Sequence, residues 1–599
     1  MIILGINESH GASACLNIDG EIVAAVAEER FSRIKIDETF PRKSIDFCLD
    51  YTGIKPSDID FVALASYDLN PLYSVYKRNC GFSVDDWIKE QELYWKPKLF
   101  ENKTPSYRDI FSYRYNPAKY PFYYDFSEFI SDADWEDRNK FLELRKKHIC
   151  NYLNIAEEKI KVIKHYDAHS AYAFYASQID RDETLVFHAE SGGDGMNASI
   201  SRFDKNKGLQ KIILTNKCFL GRIYKFLTLI LGMLPAKHEY KIMGLAPYAS
   251  NFHVERSYKI FEDLIKVEGL DFVVSEDLTD SYHYFVDKLR GHRFDGIAGA
   301  LQKFAEVLIL NWVNNAVRET GVSQVVFSGG VSMNVKINKL ICEMDSVKNV
   351  FVPPSGSDDS LCMGASYKVL ENLWNAGEIT LEGIKPLTNA YLGPEYEAKD
   401  VENAIGKYNI SENFKVIGHI SAADIAKYLV EGKVIARLAG RMEFGARALG
   451  NRSILASPSI PNIVKKINDQ IKCRDFWMPF CPTIKAERMN DYIVDPKNIR
   501  SPHMAIAFDT VESQRENIKG AIHPQDYTCR PQIIEESENP EYYKIISEFE
   551  KLTGIGVVLN TSLNLHGNPI DCTPEDGLYT FINSELDCIV LGNTLVMRK

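Results

Sequence analysis

The chain has 599 residues, of which 45% are hydrophobic, 25% charged and 11% aromatic. This is a globular composition, and it excludes a disordered, collagen-like or coiled-coil chain. The length exceeds what one hydrophobic core supports, so we expect two or more domains. The net charge of −12 argues against nucleic acid as a partner.

The cysteines and the apolar segments indicate the cellular compartment in which the protein is expected. The 12 cysteines are scattered without a C-x-x-C pair, which is typical of reduced thiols in a cytoplasmic protein. The N-terminal sequence MIILGINESHG has no basic stretch followed by a long apolar one, so we expect no signal peptide. The most apolar run, residues 226–234, is about half of the ~18 residues that a membrane span needs. We therefore expect a cytoplasmic, multidomain protein with no membrane partner.

The chain opens with three predicted strands, at residues 2–6, 14–18 and 22–27. Asp19 and Gly20 between two apolar runs predict a hairpin. The turn after the first strand presents Asn7, Glu8, Ser9 and His10. Residues 73–135 form an aromatic and charged insertion of weak periodicity. It is either a packed structural excursion or subunit contact, or a wall of an acceptor site.

Further apolar runs predict strands at 162–163, 184–188, 324–327 and 350–352, with helical patterns between them, such as 304–320. Such alternation indicates an α/β fold. Residues 375–395 resemble a linker, and a second α/β region covers about 400–599. The G-x-G-x-x-A match at 193–198 continues as a strand, so it indicates a hairpin and not a dinucleotide site. No clear repeat is visible in the sequence.

The residues that favour a metal or nucleotide site lie at predicted strand ends. His165 and His169 are four residues apart, so on a helix they share one face and could bind one metal; otherwise they cap or pack. Glycine-rich or acidic loops follow at 190–195, 328–331 and 354–359, which suit phosphate and its metal. The C-terminal region carries cations set mostly among Gly, Ala and Leu, which favours an anion pocket over surface salt bridges. These cations are Arg437, Arg441, Arg447, Arg452, Lys472, Arg474 and Arg530.

These motifs resemble those of the O-carbamoyltransferases of nodulation-factor and antibiotic tailoring, over nearly the whole length. The most specific matches are the segment 441–455, Lys472-x-Arg474 followed by Pro479-Phe480, and residues 559–564. The resemblance implies an α/β protein with an actin-like, duplicated N-terminal fold related to the tRNA threonylcarbamoyl transferases, over residues 1–386. A YrdC-like α/β domain would follow at 387–599.

The resemblance also implies the activity. An ATP-dependent enzyme would form carbamoyl-adenylate from carbamoyl phosphate and ATP in the C-terminal domain. The carbamoyl group would then pass to a hydroxyl of a small-molecule or sugar acceptor at the N-terminal site. The expected cofactors are a divalent metal at the N-terminal site, Fe²⁺ in the characterised relatives, and Mg²⁺ with ATP. Whether the protein forms a homodimer is left open by the resemblance.

Site residues are carried over by position. His165, His169 and Asp358 match metal ligands, and Glu190 stands where the family usually has Asp. His10 matches a catalytic histidine, as general base or as a group that orients the carbamoyl moiety. Lys472 and Ser562 are the other candidate catalytic residues. The carbamoyl phosphate and ATP pocket comprises Arg441, Arg447, Arg474, Arg530, Asn560 and Ser562. The nucleotide-binding residues of the N-terminal site are Gly192, Gly193, Gly329, Gly330 and Asn334.

One departure and two rival functions remain. Met478 stands where the family often has Arg, so one phosphate contact would be missing unless Arg441 or Arg474 replaces it. The first rival is a carbamoyl phosphate-dependent maturation enzyme that acts on a protein or a cofactor. The second is a non-catalytic sugar- or nucleotide-binding regulator.

Overall fold

The computed structural model describes residues 1–120 and 123–599, so residues 121–122 of the predicted insertion lie outside the described residues. The chain divides into two compact units: unit 1 holds residues 1–28 and 36–387, and unit 2 holds residues 29–35 and 388–599. Both units combine helices with β-sheet, which confirms the α/β class. Within the described ranges, no helix combines the length and the apolar character that a membrane crossing requires.

Unit 1 contains two five-stranded sheets of the same topology. The strands of the first are β1 (Ile2–Asn7), β2 (Ser13–Ile18), β3 (Glu21–Ala27), β4 (Phe61–Ala65) and β5 (Ile160–Ile163), in the order β3-β2-β1-β4-β5. The second sheet contains β6 (Thr184–Gly193), β7 (Met196–Asp204) and β8 (Gly208–Thr215). After a hairpin of β9 (Ile265–Glu268) and β10 (Asp271–Val274), it adds β11 (Gln324–Ser328) and β12 (Asn349–Phe351), in the order β12-β11-β6-β7-β8.

In each sheet an antiparallel meander of three strands is extended by two strands parallel to the meander's first strand. Unit 1 is therefore duplicated in its topology, although the sequence shows no clear repeat. The predicted strands and the hairpin at Asp19 and Gly20 are confirmed, and both turn residues have positive φ. The segment 193–198 is the β6–β7 turn, as predicted.

Unit 1 also contains several longer helices. Their bounds are Arg42–Thr52, Arg138–Leu153, His165–Tyr175, Leu220–Ile230, Asn251–Tyr258, Ser281–Lys288, Phe294–Thr320, Val335–Glu343 and Leu361–Asn375. The helices His165–Tyr175 and Leu361–Asn375 cross closely, because a Cβ on Gly364 would lie 2.0 Å from the carbonyl oxygen of Ala168. Gly5 of β1 likewise leaves room for the backbone of Cys362, where a Cβ would lie 2.1 Å from the carbonyl oxygen. Because glycine occupies these positions, the chain around residue 361 can pack closely against β1 and against the helix that follows β5.

The described residues of the insertion 73–135 include several short helices, among them Val84–Lys89, Tyr107–Phe111 and Asp132–Glu136. Many of its aromatic side chains pack on one another and belong to a buried core with β1, β2 and β4. Tyr107, for example, is 1% exposed and contacts Tyr73, Tyr94 and Phe111. Most of the aromatic excess thus stabilises the insertion itself.

Unit 2 is built on an eight-stranded mixed sheet. Its strands are β13 (Phe414–Ile417), β14 (Ile435–Leu438), β15 (Arg452–Ala456), β16 (Cys481–Lys485), β20 (Gln532–Ile534), β21 (Val557–Ser562), β22 (Cys588–Leu591) and β23 (Thr594–Arg598). The strands β17 (Ile493–Val494), β18 (Phe508–Thr510) and β19 (Thr528–Cys529) form a smaller sheet. Its longer helices are Ala398–Lys407, Ala422–Val430, Pro540–Thr553 and Pro574–Ile582. A buried apolar cluster under the large sheet forms the core of this unit.

Candidate active sites of the two units

The carboxyl ends of the parallel strands in unit 1 carry the polar residues predicted from sequence. In open α/β sheets, ligands bind at this end of the strands. His10 follows β1 and His165 follows β5, while Glu190 lies near the end of β6 and Asp358 follows β12. The side-chain amide of Asn7 donates to the carbonyl of Asp358 at 2.8 Å, which ties the loop after β12 to the end of β1.

Three of these side chains form one group with His169, and we call it the His–Glu–Asp cluster: His165, His169, Glu190 and Asp358. One ligand atom from each lies within 4.8 Å of every other. Glu190 Oε2 is 3.0 Å from His165 Nε2 and 3.2 Å from His169 Nε2, and Asp358 Oδ1 is 3.7 and 3.5 Å from the same two nitrogens. The predicted helix places both imidazoles on one face, and the structure brings all four predicted metal ligands together.

The charges in this cluster are strongly coupled. Burial alone would lower the pKa of His165, but the facing carboxylates of Glu190 and Asp358 outweigh burial and raise it to about 10. Burial would raise the pKa of Glu190, yet the neighbouring imidazoles hold it well below its ordinary value. One buried carboxylate, Glu190, and one partly exposed carboxylate, Asp358, thus favour positive charge at one point, which either protons or a cation can supply.

The donor set fits a divalent metal. The His169 side chain is fully buried, and neither ring nitrogen makes a hydrogen bond of good geometry among the described residues, although carboxylate oxygens of Glu190 and Asp358 lie 3.2 and 3.5 Å from Nε2. Such orphaned nitrogens are expensive unless something binds them. Two imidazoles with carboxylate oxygens suit Fe²⁺, Zn²⁺ or Mn²⁺. His165 Nδ1 lies 2.9 Å from Ser66 Oγ, an outer partner that fixes the ring so that Nε2 faces the carboxylates.

Sequence reasoning missed His188, which extends the cluster. Its Nε2 lies 3.1 Å from Glu190 Oε1, and its ring stacks on His169 with centroids 5.0 Å apart. Glu190 therefore stands between His188 on one oxygen and the two predicted ligands on the other. The alternation of β6 could have revealed His188, because residues two apart on a strand share a face.

In the glycine-rich β6–β7 turn, Asp194 and Gly193 contact neighbouring residues closely, whereas Gly192 is less tightly packed. Asp194 accepts hydrogen bonds from the backbone N–H groups of His165, Tyr67 and Asp68 at 2.7 to 3.1 Å, so this acid anchors backbone. Gly193 packs on the His165 ring, where a Cβ would lie 2.3 Å from the ring carbons. Gly192 has φ +142° and leaves the turn open.

The other predicted nucleotide-binding residues lie after β11. Gly329 has φ +85° and approaches the backbone of Ala189 so closely that a Cβ would lie 2.3 Å from its carbonyl oxygen, whereas Gly330 faces open space. The Asn334 amide donates to Tyr224 and Gln302 at 3.0 and 2.9 Å, and its oxygen caps the following helix. Asn334 is thus engaged within the protein.

His10 lies on the loop between β1 and β2, and its side chain is 27% exposed. Its Nδ1 is 3.1 Å from Glu38 Oε1. Burial would lower the pKa of His10, but the hydrogen bond and the charge of Glu38 raise it above its ordinary value. In the tautomer whose Nδ1–H donates to Glu38, Nε2 carries the lone pair that a general base needs.

In unit 2, Lys472 lies in a cage of oxygens, which we call the Lys472 pocket. Its ammonium donates to the carbonyl of Ser562, to Ser562 Oγ at 3.3 Å, and to the carbonyl and side-chain oxygens of Asn564 at 3.0 and 2.5 Å. The side chain is 4% exposed. Burial and then the charge of Arg474 hold its pKa well below the ordinary value. A strongly perturbed pKa of this kind is characteristic of functional sites.

The predicted arginines lie in different local settings. Arg474 donates to the carbonyls of Met478 and Pro479 at 2.9 and 2.8 Å and lies over the Phe480 ring, so its guanidinium is engaged by the loop that contains Met478. Arg441 donates to the carbonyl of Leu392 at 2.6 Å, and Arg530 contacts Cys481 Sγ at 3.0 Å. Arg447 is half-buried.

Two further residues complete the predicted C-terminal set. Asn560 is 1% exposed, and its amide donates to Ala448 and Thr483 within the sheet. Ser562, at the end of β21, is half-buried and donates to Asn564 Oδ1 at 2.7 Å. Of the predicted residues, Ser562 thus contacts Lys472 directly, and Arg474 lies near enough for its charge to lower the pKa of the Lys472 amine.

Comparisons with known proteins agree on the type of protein. The family models described as carbamoyltransferase N-terminus and C-terminus match residues 2–367 and 426–598. An uncharacterized protein of Methanocaldococcus jannaschii is 30% identical over 100% of both chains. Nodulation protein NolNO of Sinorhizobium fredii is 26% identical over 98% of this chain and 79% of its own. Nodulation protein U of the same species is 29% identical over 49% of this chain and 46% of its own.

Proposed function

This chain belongs to the carbamoyltransferase family, and on that premise we propose that it is an ATP-dependent O-carbamoyltransferase with two successive active sites. Unit 2, as a YrdC-like domain, forms carbamoyl-adenylate at the Lys472 pocket. Unit 1, as an actin-like fold, transfers the carbamoyl group to a hydroxyl of a small-molecule or sugar acceptor. The observation that carries the proposal is that each unit has its own buried site with shifted pKa values. The site in unit 1 is rich in imidazole and carboxylate groups that can bind a metal, and the site in unit 2 is built around a buried lysine.

The reaction balances in three steps. Water converts carbamoyl phosphate into carbamate and phosphate. A carbamate oxygen then attacks the α-phosphorus of ATP, and pyrophosphate leaves with the electron pair of the broken P–O bond. Finally the acceptor oxygen attacks the carbamoyl carbon, and AMP leaves. The net products are the carbamoylated acceptor, AMP, pyrophosphate and phosphate.

The residues of unit 2 suit the first two steps. Lys472 has little competition from carboxylates in its own cage, so it offers N–H donors to phosphate and carbamate oxygens. Its lowered pKa reflects the cost of holding the charge without an anion, a cost that a bound phosphate relieves. Arg474 adds a second positive charge beside it.

The residues of unit 1 suit the transfer step. His10 Nε2 accepts the proton of the acceptor hydroxyl, and Glu38 stabilises the resulting imidazolium. His165, His169, Glu190 and Asp358 would hold the divalent cation, which when bound supplies positive charge to the phosphate of the leaving AMP. His188 and Ser66 orient these ligands from outside.

The decisive experiment follows pyrophosphate and labelled carbamoyl groups separately. Purified protein with ATP and carbamoyl phosphate should release pyrophosphate, and a panel of hydroxylated acceptors should take up the label. Lys472→Met should abolish pyrophosphate release, whereas the control Lys519→Met, which removes an exposed lysine paired with Glu516, should not. Absence of carbamoyl phosphate-dependent pyrophosphate release would refute the proposal. Label transfer to a protein thiol alone would favour the maturation enzyme.

A further inference from the structure

The short segment 29–35 leaves β3 and packs with unit 2, before the chain resumes in unit 1 at residue 36. Arg33 has φ +60° and Ile36 has φ +53°, so two non-glycine residues adopt the left-handed conformation where the segment ends. Such conformations persist where surrounding contacts hold them, and they are concentrated at functional sites.

Arg33 binds one loop of unit 2 through most of its guanidinium. It donates to the carbonyls of Ile570 and Pro569 at 2.9 and 3.2 Å and to Asp571 Oδ1 at 2.8 Å. Its Nε lies 3.6 Å from Asp576 Oδ1. Asp571 is 1% exposed, so this is a buried, charge-assisted contact and not a surface salt bridge.

The loop that Arg33 holds is continuous with the cage around Lys472. The N–H of Asp571 donates to the carbonyl of Leu563 at 2.8 Å. Leu563 lies between Ser562 and Asn564, whose oxygens hold the Lys472 ammonium. A displacement of the loop 569–571 therefore moves the oxygens that position Lys472.

The same segment brings positive charge to the pocket. Lys35 lies close enough to Lys472 to help lower the pKa of that amine, after burial and Arg474. Asp571 acts in the opposite direction on the same amine. Since Arg33 neutralises Asp571, the charge that remains around Lys472 is positive, which suits an anion with several phosphate oxygens.

We propose that segment 29–35 is a working part of the Lys472 pocket, in which Arg33 is a positioning residue for the loop 569–571 and Lys35 adds positive charge for the phosphate groups of carbamoyl phosphate or ATP. The inference rests on the proposed function for the identity of these ligands. A pocket in unit 2 would then depend on residues encoded before residue 36.

The test compares full-length variants of Arg33 and Lys35 by carbamoyl phosphate-dependent pyrophosphate release. Arg33→Met should raise the KM for carbamoyl phosphate or ATP by about tenfold or more, because a shift of ~1 Å in a positioning contact can cost about 10²-fold. Arg33→Lys should recover part of the loss, and Lys35→Met should raise the same KM severalfold. The matched control is Arg488→Met, which removes an arginine of unit 2 paired with Asp491 and Glu550.

A merely structural role gives a different result. Loss of folded protein lowers kcat and the unfolding temperature but leaves the KM of the surviving molecules unchanged, and that outcome would overturn the inference. Wild-type KM values in both Arg33→Met and Lys35→Met would also overturn it. If the wild type releases no pyrophosphate, the proposed function fails separately. In that case the binding of inorganic pyrophosphate is measured by calorimetry, and the part of the binding that Lys472→Met abolishes is assigned to the Lys472 pocket. Weaker binding of this part in Arg33→Met supports the inference, and wild-type binding overturns it.

Discussion

Replacing Gly193 by alanine tests the His–Glu–Asp cluster with a single methyl group. The added Cβ would lie 2.3 Å from Cδ2 and Cγ of His165, whereas carbon atoms in contact prefer about 3.5–4.0 Å. The ring must therefore retreat by more than about 1 Å. The backbone at Gly193 is not left-handed, so alanine itself is tolerated there and the perturbation is confined to the imidazole.

A retreat of this size exceeds the tolerance of a metal site, where ligand distances hold to about ±0.2 Å. We expect the affinity for a divalent metal to fall by about 10- to 100-fold, the range seen when ligand-orienting contacts are lost. That corresponds to roughly 1.4–2.8 kcal/mol. Anaerobic titration with Fe²⁺, together with elemental analysis of the purified protein, measures the change.

The control is Gly383→Ala, also in unit 1, where a Cβ would meet only Thr380 Oγ1 at 3.9 Å. It should bind metal as the wild type does. Equal metal affinity in Gly193→Ala, in a protein that unfolds at the wild-type temperature, would show that His165 is not a ligand. An equal loss in both variants would show that the effect is not local.

Three further outcomes follow from other parts of the molecule. His10→Asn should leave pyrophosphate release within about twofold of wild type and abolish carbamoyl product, since its contacts lie in unit 1; loss of both activities would contradict the separate roles. Burial raises the pKa of Asp571 to about 7, so the folded state keeps a proton that the unfolded state loses near pH 4. Wild-type stability should therefore fall by up to about 4 kcal/mol between pH 4 and 7 and level off above, relative to Asp571→Asn, in urea unfolding; parallel pH profiles would contradict this. The half-buried Trp87 ring lies 3.2 and 4.8 Å from the ammonium groups of Lys77 and Lys225. If the insertion is an acceptor wall, Trp87→Ala should raise the KM for the acceptor but not for carbamoyl phosphate, whereas unchanged acceptor kinetics would favour the structural alternative.

The sequence allowed the α/β class and the strand positions of unit 1 to be predicted, because the strands are short apolar runs bounded by turn residues. The duplication of the sheets was not visible, because it lies in the hydrogen-bonded order of the strands. The four members of the His–Glu–Asp cluster were named from motifs. The acidic loop 190–195, by contrast, is predicted from the sequence to suit phosphate and its metal, whereas in the structure its residue Asp194 accepts hydrogen bonds from backbone N–H groups.

The least predictable contacts are the long-range ones. The sequence around Arg33 does not indicate that it binds residues 569–571, because a single basic residue between polar and apolar neighbours is typical of a solvent-exposed side chain. His188 lies in an apolar strand, and a histidine in such a strand is usually interpreted as a residue of the hydrophobic core. The setting of Arg474 also depends on folding, since its hydrogen bonds reach carbonyls that any residue at 478 would supply.

The position of Arg33 has a consequence for the order of events during synthesis. Arg33 and its partner carbonyl at Ile570 are 537 residues apart. At about 5–20 residues per second, residue 33 leaves the ribosome roughly half a minute to two minutes before its partner exists. During that interval the strands of the first sheet of unit 1 have been made, whereas the carbonyl groups that Arg33 binds have not. The Lys472 pocket therefore cannot be completed until residue 571 has been synthesised, well after the strands of the first sheet.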